Sequence, residues 1–218
     1  MITFRPEDHT YWDEAGNEYT SVTTFLGKEF PFDGKAVAEK VRKIPSSKYH
    51  SMSVDRILKL WDDSADHGTV VHEAVEDYIK EDVWPSDPGL VPLVEQFSKL
   101  NFRGDLISEI LIWDEEYRIA GTADILEVFD KYIYLWDIKT SNHITDNKLM
   151  KFSMQLELYK RLIEKRFNKP VKLGGILWFE DYVMKRSKTK LKVFQTLRCE
   201  DSIDDMLLKR KKELEDVS

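Results

Sequence analysis

The feature that most constrains the fold of this chain is a change in hydrophobic period at residue 105. Before this point apolar residues recur at the spacing typical of helices, and after it they alternate with polar residues as in strands. Three strands joined by short turns are predicted there, from Leu106 to Trp113, Tyr117 to Phe129 and Tyr132 to Ile138. We expect these strands to form the centre of a sheet.

The segments on either side of this unit are predicted to be mostly helical, after an N-terminal hairpin that turns at residues 14–17. The predicted helices span residues 54–62, 67–80, 90–100, 146–167 and 201–214. Two further strands are predicted over residues 171–179 and 191–197. Helix caps are predicted at Ser21, Asp33, Ser53 and either Asp201 or Ser202.

The order of these elements predicts an α/β fold in which helices flank a mixed central β-sheet. The chain has 218 residues, 42% of them hydrophobic, which suits one domain with a single core. Within it, residues 1–66 are expected to form an N-terminal hairpin and helical extension. Residues 67–200 are expected to form the core, and residues 201–218 a C-terminal helix.

Composition excludes several classes of protein. Cys199 is the only cysteine, so neither a disulfide framework nor an iron–sulfur cluster held by four cysteines is expected. The sequence lacks a signal-like start and any run near the roughly 20 apolar residues needed to cross a bilayer. We therefore expect a cytoplasmic protein with no membrane partner.

The net charge of −7 argues against a protein that coats DNA passively. It argues less against a nuclease, because a carboxylate cluster that binds metal makes the sum negative while basic residues can still gather on one face. Each basic cluster taken singly is typical of a solvated loop or helix face. The clusters are residues 185–190, residues 209–212, and Lys160, Arg161, Lys165, Arg166 and Lys169.

The hairpin between the second and third central strands has a register that the sequence itself predicts. If Phe129 faces Tyr132, then apolar residues oppose one another along the strands, and Asp124 opposes Asp137. Two carboxylates with Cβ atoms about 5 Å apart repel each other and need a shared proton or a bound cation, unless the hairpin end is simply solvated. Alternation also places Lys139 on the face of Asp137.

Four motifs carry a resemblance to a known family. Residues 121–124 (Gly-Thr-Ala-Asp) and, twelve residues on, 137–140 (Asp-Ile-Lys-Thr) resemble the signature of the PD-(D/E)XK nuclease superfamily, without its usual first-motif proline. Residues 155–159 (Gln-Leu-Glu-Leu-Tyr) resemble the QxxxY motif of the RecB-like exonuclease branch. Residues 67–72 resemble its upstream helix, which completes the four. Separately from these motifs, residues 21–24 (Ser-Val-Thr-Thr) resemble phage and mitochondrial genome maintenance exonuclease relatives.

The resemblance implies a restriction-endonuclease-like core with a metal site in it. Asp124, Asp137, the backbone carbonyl of Ile138 and His72 would bind the metal. Oxygen ligands suit Mg²⁺ or Mn²⁺, and an imidazole favours Mn²⁺ somewhat. Lys139 would orient the attacking water and stabilise the charged transition state, so that Asp124, Asp137 and Lys139 form the catalytic set.

Other residues receive less specific roles. Gln155 and Tyr159, four apart on one helix, would hold DNA or position the active-site strands, although Tyr159 also fits a core position. Glu109 is a candidate for a second metal or for supporting the ligands if the turn after Trp113 has four residues in its loop. Glu76, close to His72 on its helix, is a candidate for the same role.

The sequence therefore predicts a metal-dependent DNA nuclease, with exonuclease action on single strands or ends as the leading hypothesis. An endonuclease of the same superfamily, directed to particular structures or sequences, is the first alternative. A catalytically silent DNA-binding or assembly module is the second. If the chain is encoded by a phage, its location would be the cytoplasm of the host cell.

Overall fold

The computed structural model describes residues 2–5, 7, 10–141, 144–180 and 190–216. Helices and strands follow one another in groups along the chain. The elements are β1 (Ile2–Arg5), β2 (Thr10–Asp13), β3 (Glu18–Ser21), α1 (Val22–Gly27), α2 (Gly34–Val41), α3 (Val54–Glu81), α4 (Val91–Ser98), β4 (Asp105–Asp114), β5 (Ile119–Val128), β6 (Ile133–Ser141), α5 (Asp146–Phe167), β7 (Val171–Glu180), β8 (Lys190–Phe194) and α6 (Glu200–Glu215).

The eight described strands form one mixed sheet, which confirms the predicted α/β class. β5 pairs with β4 along its whole length on one edge. Its other edge is shared, because β3 pairs with residues 119–120 and β6 with residues 125–128. Residues 121–124 therefore lie where the sheet splits, between the ends of these two pairings.

Helices cover both faces of the sheet. Buried side chains of α1, α5 and α6 pack on one face, around Leu126, Leu135 and Ile176. Buried side chains of α3 and α4 pack on the other, around Ile125 and Leu177. No helix among the described residues has the length and hydropathy needed to span a bilayer.

The prediction of two helices over residues 54–62 and 67–80 is wrong, because α3 runs unbroken for 28 residues. Ser53 does cap it, accepting a hydrogen bond from the backbone N–H of Arg56. The segment between the two predicted helices contains no proline, and a glycine in a helix costs only about 1 kcal/mol. At Gly68 an added Cβ would lie 3.0 Å from Oγ1 of Thr140, so the glycine lets α3 approach β6 closely.

The N-terminal extension also differs from the prediction. Its predicted boundary at residues 66 and 67 falls inside α3, and its hairpin joins the central sheet through the β3–β5 pairing. The hairpin turn at residues 14–17 and the caps Ser21 and Asp33 are confirmed. The described part of the predicted extension is thus continuous with the core.

The C-terminal predictions need two corrections. The N-cap of α6 is Cys199, not Asp201 or Ser202, because buried Ile203 and its neighbours set where the helix packs. β8 ends at Phe194 instead of Leu197, whose backbone N–H donates to Oγ of Ser153 on α5. In both cases a tertiary contact overrides a local preference.

Candidate metal centre

The candidate site lies where β6 separates from β5. The predicted register is confirmed, since Val128 pairs with Ile133 and the last pair before the split is Ile125 with Trp136. Beyond it β6 continues alongside β7 as far as Ser141. Oδ2 of Asp124 accepts a hydrogen bond of 2.7 Å from the backbone N–H of Ile138. A side chain thus satisfies a strand donor that the β5–β6 ladder leaves unpaired.

The pleat of the sheet is interrupted at the same point. Ala123 packs with the cluster of α1, α5 and α6, whereas Ile125 packs with α3 and α4, although residues two apart share a face in a regular strand. On β4 the facing residue, Glu109, has a left-handed backbone with φ of 51°. The period-two alternation behind the predicted common face of Asp124 and Asp137 therefore does not hold at Asp124.

Three side chains from three elements meet here, namely His72 of α3, Glu109 of β4 and Asp124 of β5. One ligand atom from each lies within 4.8 Å of the others. Nδ1 of His72 is 3.8 Å from Oε1 of Glu109 and 3.8 Å from Oδ2 of Asp124. Glu109 was predicted to belong to this site if the turn after Trp113 has a four-residue loop. Residues 115–118 form such a loop between β4 and β5.

The orientation of His72 is set by its other nitrogen. Nε2 lies 3.1 Å from the carbonyl oxygen of Ile138, and the tautomer with hydrogen on Nε2 donates to it. Nδ1 then directs its lone pair at two carboxylates. Burial lowers the pKa of His72, but the charge of Asp124 and the contact with Glu109 raise it more, and the pKa lies above its ordinary value. The two carboxylates therefore favour either a protonated His72 ring or a cation bound beside Nδ1.

Asp137 and Lys139 form a buried pair next to this group. The Asp137 carboxylate is 3% exposed, and its Oδ1 accepts a hydrogen bond of 2.7 Å from Nζ of Lys139. Its Oδ2 is buried with no hydrogen-bond partner among the described residues. Burial raises the pKa of Asp137 to about 6, against the lowering effect of Lys139, and the charge of Asp124 adds to the rise.

Lys139 stays protonated in this setting. Burial lowers its pKa, but the charges of Asp137 and Asp124 outweigh burial and raise the pKa above its ordinary value. Its Nζ lies 5.2 Å from the centre of the Phe152 ring on α5. The lysine is therefore a fixed positive charge and a hydrogen-bond donor.

The donors present fit a divalent cation. A buried carboxylate oxygen without a donor is costly, and a cation beside it would remove that cost. Carboxylate oxygens, a backbone carbonyl and an imidazole are ligands that such ions accept. Asp137 lies outside the closest group of three, and its orphan oxygen is the reason to include it. The residues that could hold a metal are His72 through Nδ1, Glu109, Asp124 and Asp137. The carbonyl oxygen of Ile138, also predicted as a ligand, instead contacts Nε2 on the far side of the His72 ring.

Tyr159 and Gln155 lie one turn apart on α5, as predicted. Tyr159 is 5% exposed within the core, and a Cβ at Gly121 would collide with its hydroxyl. Position 121, three residues before Asp124, must therefore be a glycine to leave room for the Tyr159 hydroxyl. Burial and the charges of Asp124 and Asp137 raise the pKa of Tyr159, so this hydroxyl lies near the acidic group. Gln155 is half-buried.

Glu76 is held by a different interaction. Its carboxylate pairs with Lys80 one turn further along α3, and it is not part of the group formed by His72, Glu109 and Asp124. Tyr11 of β2, which the sequence analysis did not single out, does reach this region. Its buried hydroxyl hydrogen-bonds the side chain of Thr122, and the charge of Glu109 contributes to raising its pKa after burial. Only its place in the alternation of β2 could have indicated that it points inward.

Several basic residues of the clusters at α5 and α6 are paired with carboxylates within the protein. Lys160 and Arg161 pair with buried Glu157, Lys165 pairs with Asp114, and Lys211 pairs with Glu116. The guanidinium of Arg210 donates to the backbone oxygen of Tyr117 and to Thr20. These paired residues take part in the fold, whereas the interpretation of each cluster taken singly predicted only a solvated face. Most of the basic segment at residues 185–190 lies outside the described residues.

Comparison with known proteins adds little to this geometry. No family model matches the chain, and no curated protein matches it. Among solved structures the chain is similar to SSO0001, with 16% sequence identity, coverage of 90% of this chain and 76% of that one, and a TM-score of 0.42. A similarity of that size does not bear on activity.

Proposed function

We propose that this protein is a metal-dependent DNA nuclease that hydrolyses phosphodiester bonds. The observation that carries the proposal is the meeting of His72, Glu109 and Asp124 beside a buried Asp137 whose Oδ2 has no hydrogen-bond partner among the described residues. Carboxylates gathered in this way repel one another unless a cation joins them. Mg²⁺ or Mn²⁺ is the proposed ion, and the imidazole gives Mn²⁺ some preference.

A bound divalent ion would lower the pKa of a water molecule and neutralise phosphate charge. The protein's own groups then have separable roles. Lys139 donates to the developing charge and orients the attacking water, and its raised pKa makes it unsuitable as a general base. Asp137 holds Nζ of Lys139 in place through Oδ1. His72, fixed through Nε2, would offer Nδ1 as a ligand to a bound metal.

DNA is the proposed substrate because the four sequence motifs resemble those of the PD-(D/E)XK nucleases. Their residues converge on the acidic site or lie next to it, with Gly68 and Gly121 at close helix contacts. Exonuclease action on single strands or ends is the leading mode, and endonuclease action is the alternative. An intact set of Asp124, Asp137 and Lys139 weighs against a silent DNA-binding module.

The test is cleavage of end-labelled linear DNA and closed circular DNA, single-stranded and duplex, with Mg²⁺, Mn²⁺ or EDTA. We expect metal-dependent degradation of a linear substrate and an intact circle. Cleavage of the circle would replace exonuclease with endonuclease action. Asp137→Asn should abolish cleavage, and the matched control is Asp114→Asn, which changes an equally buried, lysine-paired aspartate. Full activity of Asp137→Asn, or no cleavage by wild type, would overturn the proposal.

A further inference from the structure

Lys48 and Lys148 are two exposed lysines that come close to each other. Within the described ranges neither Lys48, in the segment before α3, nor Lys148, in the first turn of α5, has an ion pair. The two side chains are close enough to repel each other, since burial and then the charge of Lys48 lower the pKa of Lys148. Like charges that face each other without a carboxylate suit an anion between them.

Three aromatic side chains form a cluster that Lys48 borders through Tyr49. Phe32 is 69% exposed, and its ring centre is 5.8 Å from that of Trp61. Trp61 in turn meets Tyr49 at 5.8 Å, and its Nε1–H donates to the Tyr49 hydroxyl at 2.9 Å. Nζ of Lys48 lies 4.9 Å from the centre of the Tyr49 ring. Phe32 is thus an exposed ring supported by two further aromatic side chains, with a lysine beside them. Surfaces that stack nucleobases and bind phosphates have this composition.

The aromatic cluster, defined as Phe32, Tyr49 and Trp61, is connected to the candidate metal centre by α3, which carries both Trp61 and His72. Trp61 and His72 are eleven residues apart, which is close to three full turns, so both project from the same side of the helix. The rise between them is about 16 Å, the length of about five stacked nucleotides. Lys148 is one turn before Phe152, whose ring contacts Lys139. Lys48 thus borders the aromatic cluster, and Lys148 lies on the helix whose next turn contacts Lys139.

We propose that the aromatic cluster, with Lys48 and Lys148, binds a single strand of DNA about five nucleotides from the phosphate held at the metal centre. Phe32 stacks on a base, and the lysines contact the intervening phosphates. The stated distance from the aromatic cluster to the scissile bond rests on the proposed function, because it assumes that cleavage occurs at the metal centre. Binding itself is independent of metal and can be measured without cleavage.

The experiment is fluorescence anisotropy of fluorescein-labelled oligothymidylates of 12 and 4 nucleotides with the full chain in EDTA. The 12-mer spans both sites and should bind more tightly than the 4-mer. Phe32→Ala should weaken binding of the 12-mer about fivefold or more, and it should weaken the 4-mer as well, because the short strand binds at the same ring. The matched control is Phe167→Ala, another exposed phenylalanine at the far end of α5, which should bind as wild type.

Salt dependence tests the lysines separately. The double variant Lys48→Ala with Lys148→Ala should reduce the slope of log affinity against log salt by about 1.4, since each phosphate contact on a single strand contributes about 0.7. Lys99→Ala, an exposed lysine paired with Glu95, should leave the slope unchanged. Circular dichroism melting checks that each variant is folded.

The outcomes separate this inference from the nuclease proposal. Unchanged binding of the 12-mer by Phe32→Ala, tighter binding of a 12-base-pair duplex, or no binding by wild type would each overturn the strand-binding surface, whatever the cleavage assay gives. The expected losses, together with no cleavage in any metal, would support the surface and reject the nuclease.

Discussion

Two buried aspartates in this protein share many features and differ in one. Asp114 is 4% exposed and pairs with Lys165 at 2.6 Å, and Asp137 is 3% exposed and pairs with Lys139 at 2.7 Å. Oδ1 of Asp114 also accepts a hydrogen bond from the backbone N–H of Tyr117, so both of its oxygens are bonded. The second oxygen of Asp137 has no such partner in the described structure.

The surroundings of the two pairs explain the contrast. Near Asp114, Lys165 and Lys211 together hold Glu116, so cations match carboxylates. Near Asp137, three carboxylates face one lysine and one histidine of raised pKa. A balanced network stabilises the fold by itself, whereas an unbalanced one needs a cation from outside. Burial and ion pairing are thus alike in the two aspartates, and the unpaired oxygen is the feature that makes Asp137 a candidate ligand.

The largest expected effect is the loss of cleavage when the lysine of the Asp137 pair is removed, compared with removal of the lysine of the Asp114 pair. Lys139→Met should lower the cleavage rate by about 10²–10³-fold or more, because a fixed donor to the transition state is lost. Lys165→Met should leave the rate within about twofold, since it touches no part of the centre. Initial rates on linear DNA at saturating Mn²⁺ measure both. Equal losses in the two variants would remove the distinction between the pairs.

The next effect is on stability and runs in the opposite direction. Asp114→Ala should lower the free energy of unfolding by about 2–3 kcal/mol, because the Tyr117 N–H and Lys165 lose a charged acceptor. Asp137→Asn should change it by less than about 1 kcal/mol, since it relieves repulsion with Asp124 while freeing Lys139. Urea denaturation monitored by tryptophan fluorescence gives both values. A larger loss for Asp137→Asn would mean that its pair is chiefly structural.

Metal should stabilise only the unbalanced network. At ten times its dissociation constant Mn²⁺ stabilises the folded state by about 1.4 kcal/mol, which raises the melting temperature of a chain this size by roughly 3–6 °C. Asp124→Asn and His72→Ala should abolish this rise, and Asp114→Asn should retain it. Thermal melts with and without Mn²⁺ measure the shift. The same rise in all variants would place the ion elsewhere.

The smallest effect is a pH dependence of the balanced network. Hydrogen bonds from Lys211 and Lys165 lower the pKa of Glu116 from 4.5 to about 2. Because the folded pKa is the lower one, this stabilisation is present above about pH 4.5 and is lost as the pH falls towards 2. Glu116→Gln should therefore be slightly less stable than wild type at pH 6 and equal to it near pH 2. Urea midpoints across this range test the sign.

Much of the fold followed from local patterns. The period change at residue 105, the caps Ser21, Asp33 and Ser53, and the register that pairs Val128 with Ile133 depend on neighbouring residues and are confirmed. The break predicted inside α3 was wrong because helix packing against β6 outweighs a weak local preference. The caps predicted for α6 were wrong for the same kind of reason.

The candidate residues could be named from the sequence because strand alternation and motif spacing are properties of the chain itself. Their arrangement could not. The left-handed backbone of Glu109 places it beside His72, and the approach of α3 brings that histidine to Ile138, 66 residues away. Whether a carboxylate oxygen receives a hydrogen bond, or a lysine has an acidic partner, depends on every group that folds around that side chain. Local periodicity sets the elements and the facing of their residues, and tertiary packing alone sets the balance of charge that makes one aspartate structural and the other a candidate ligand.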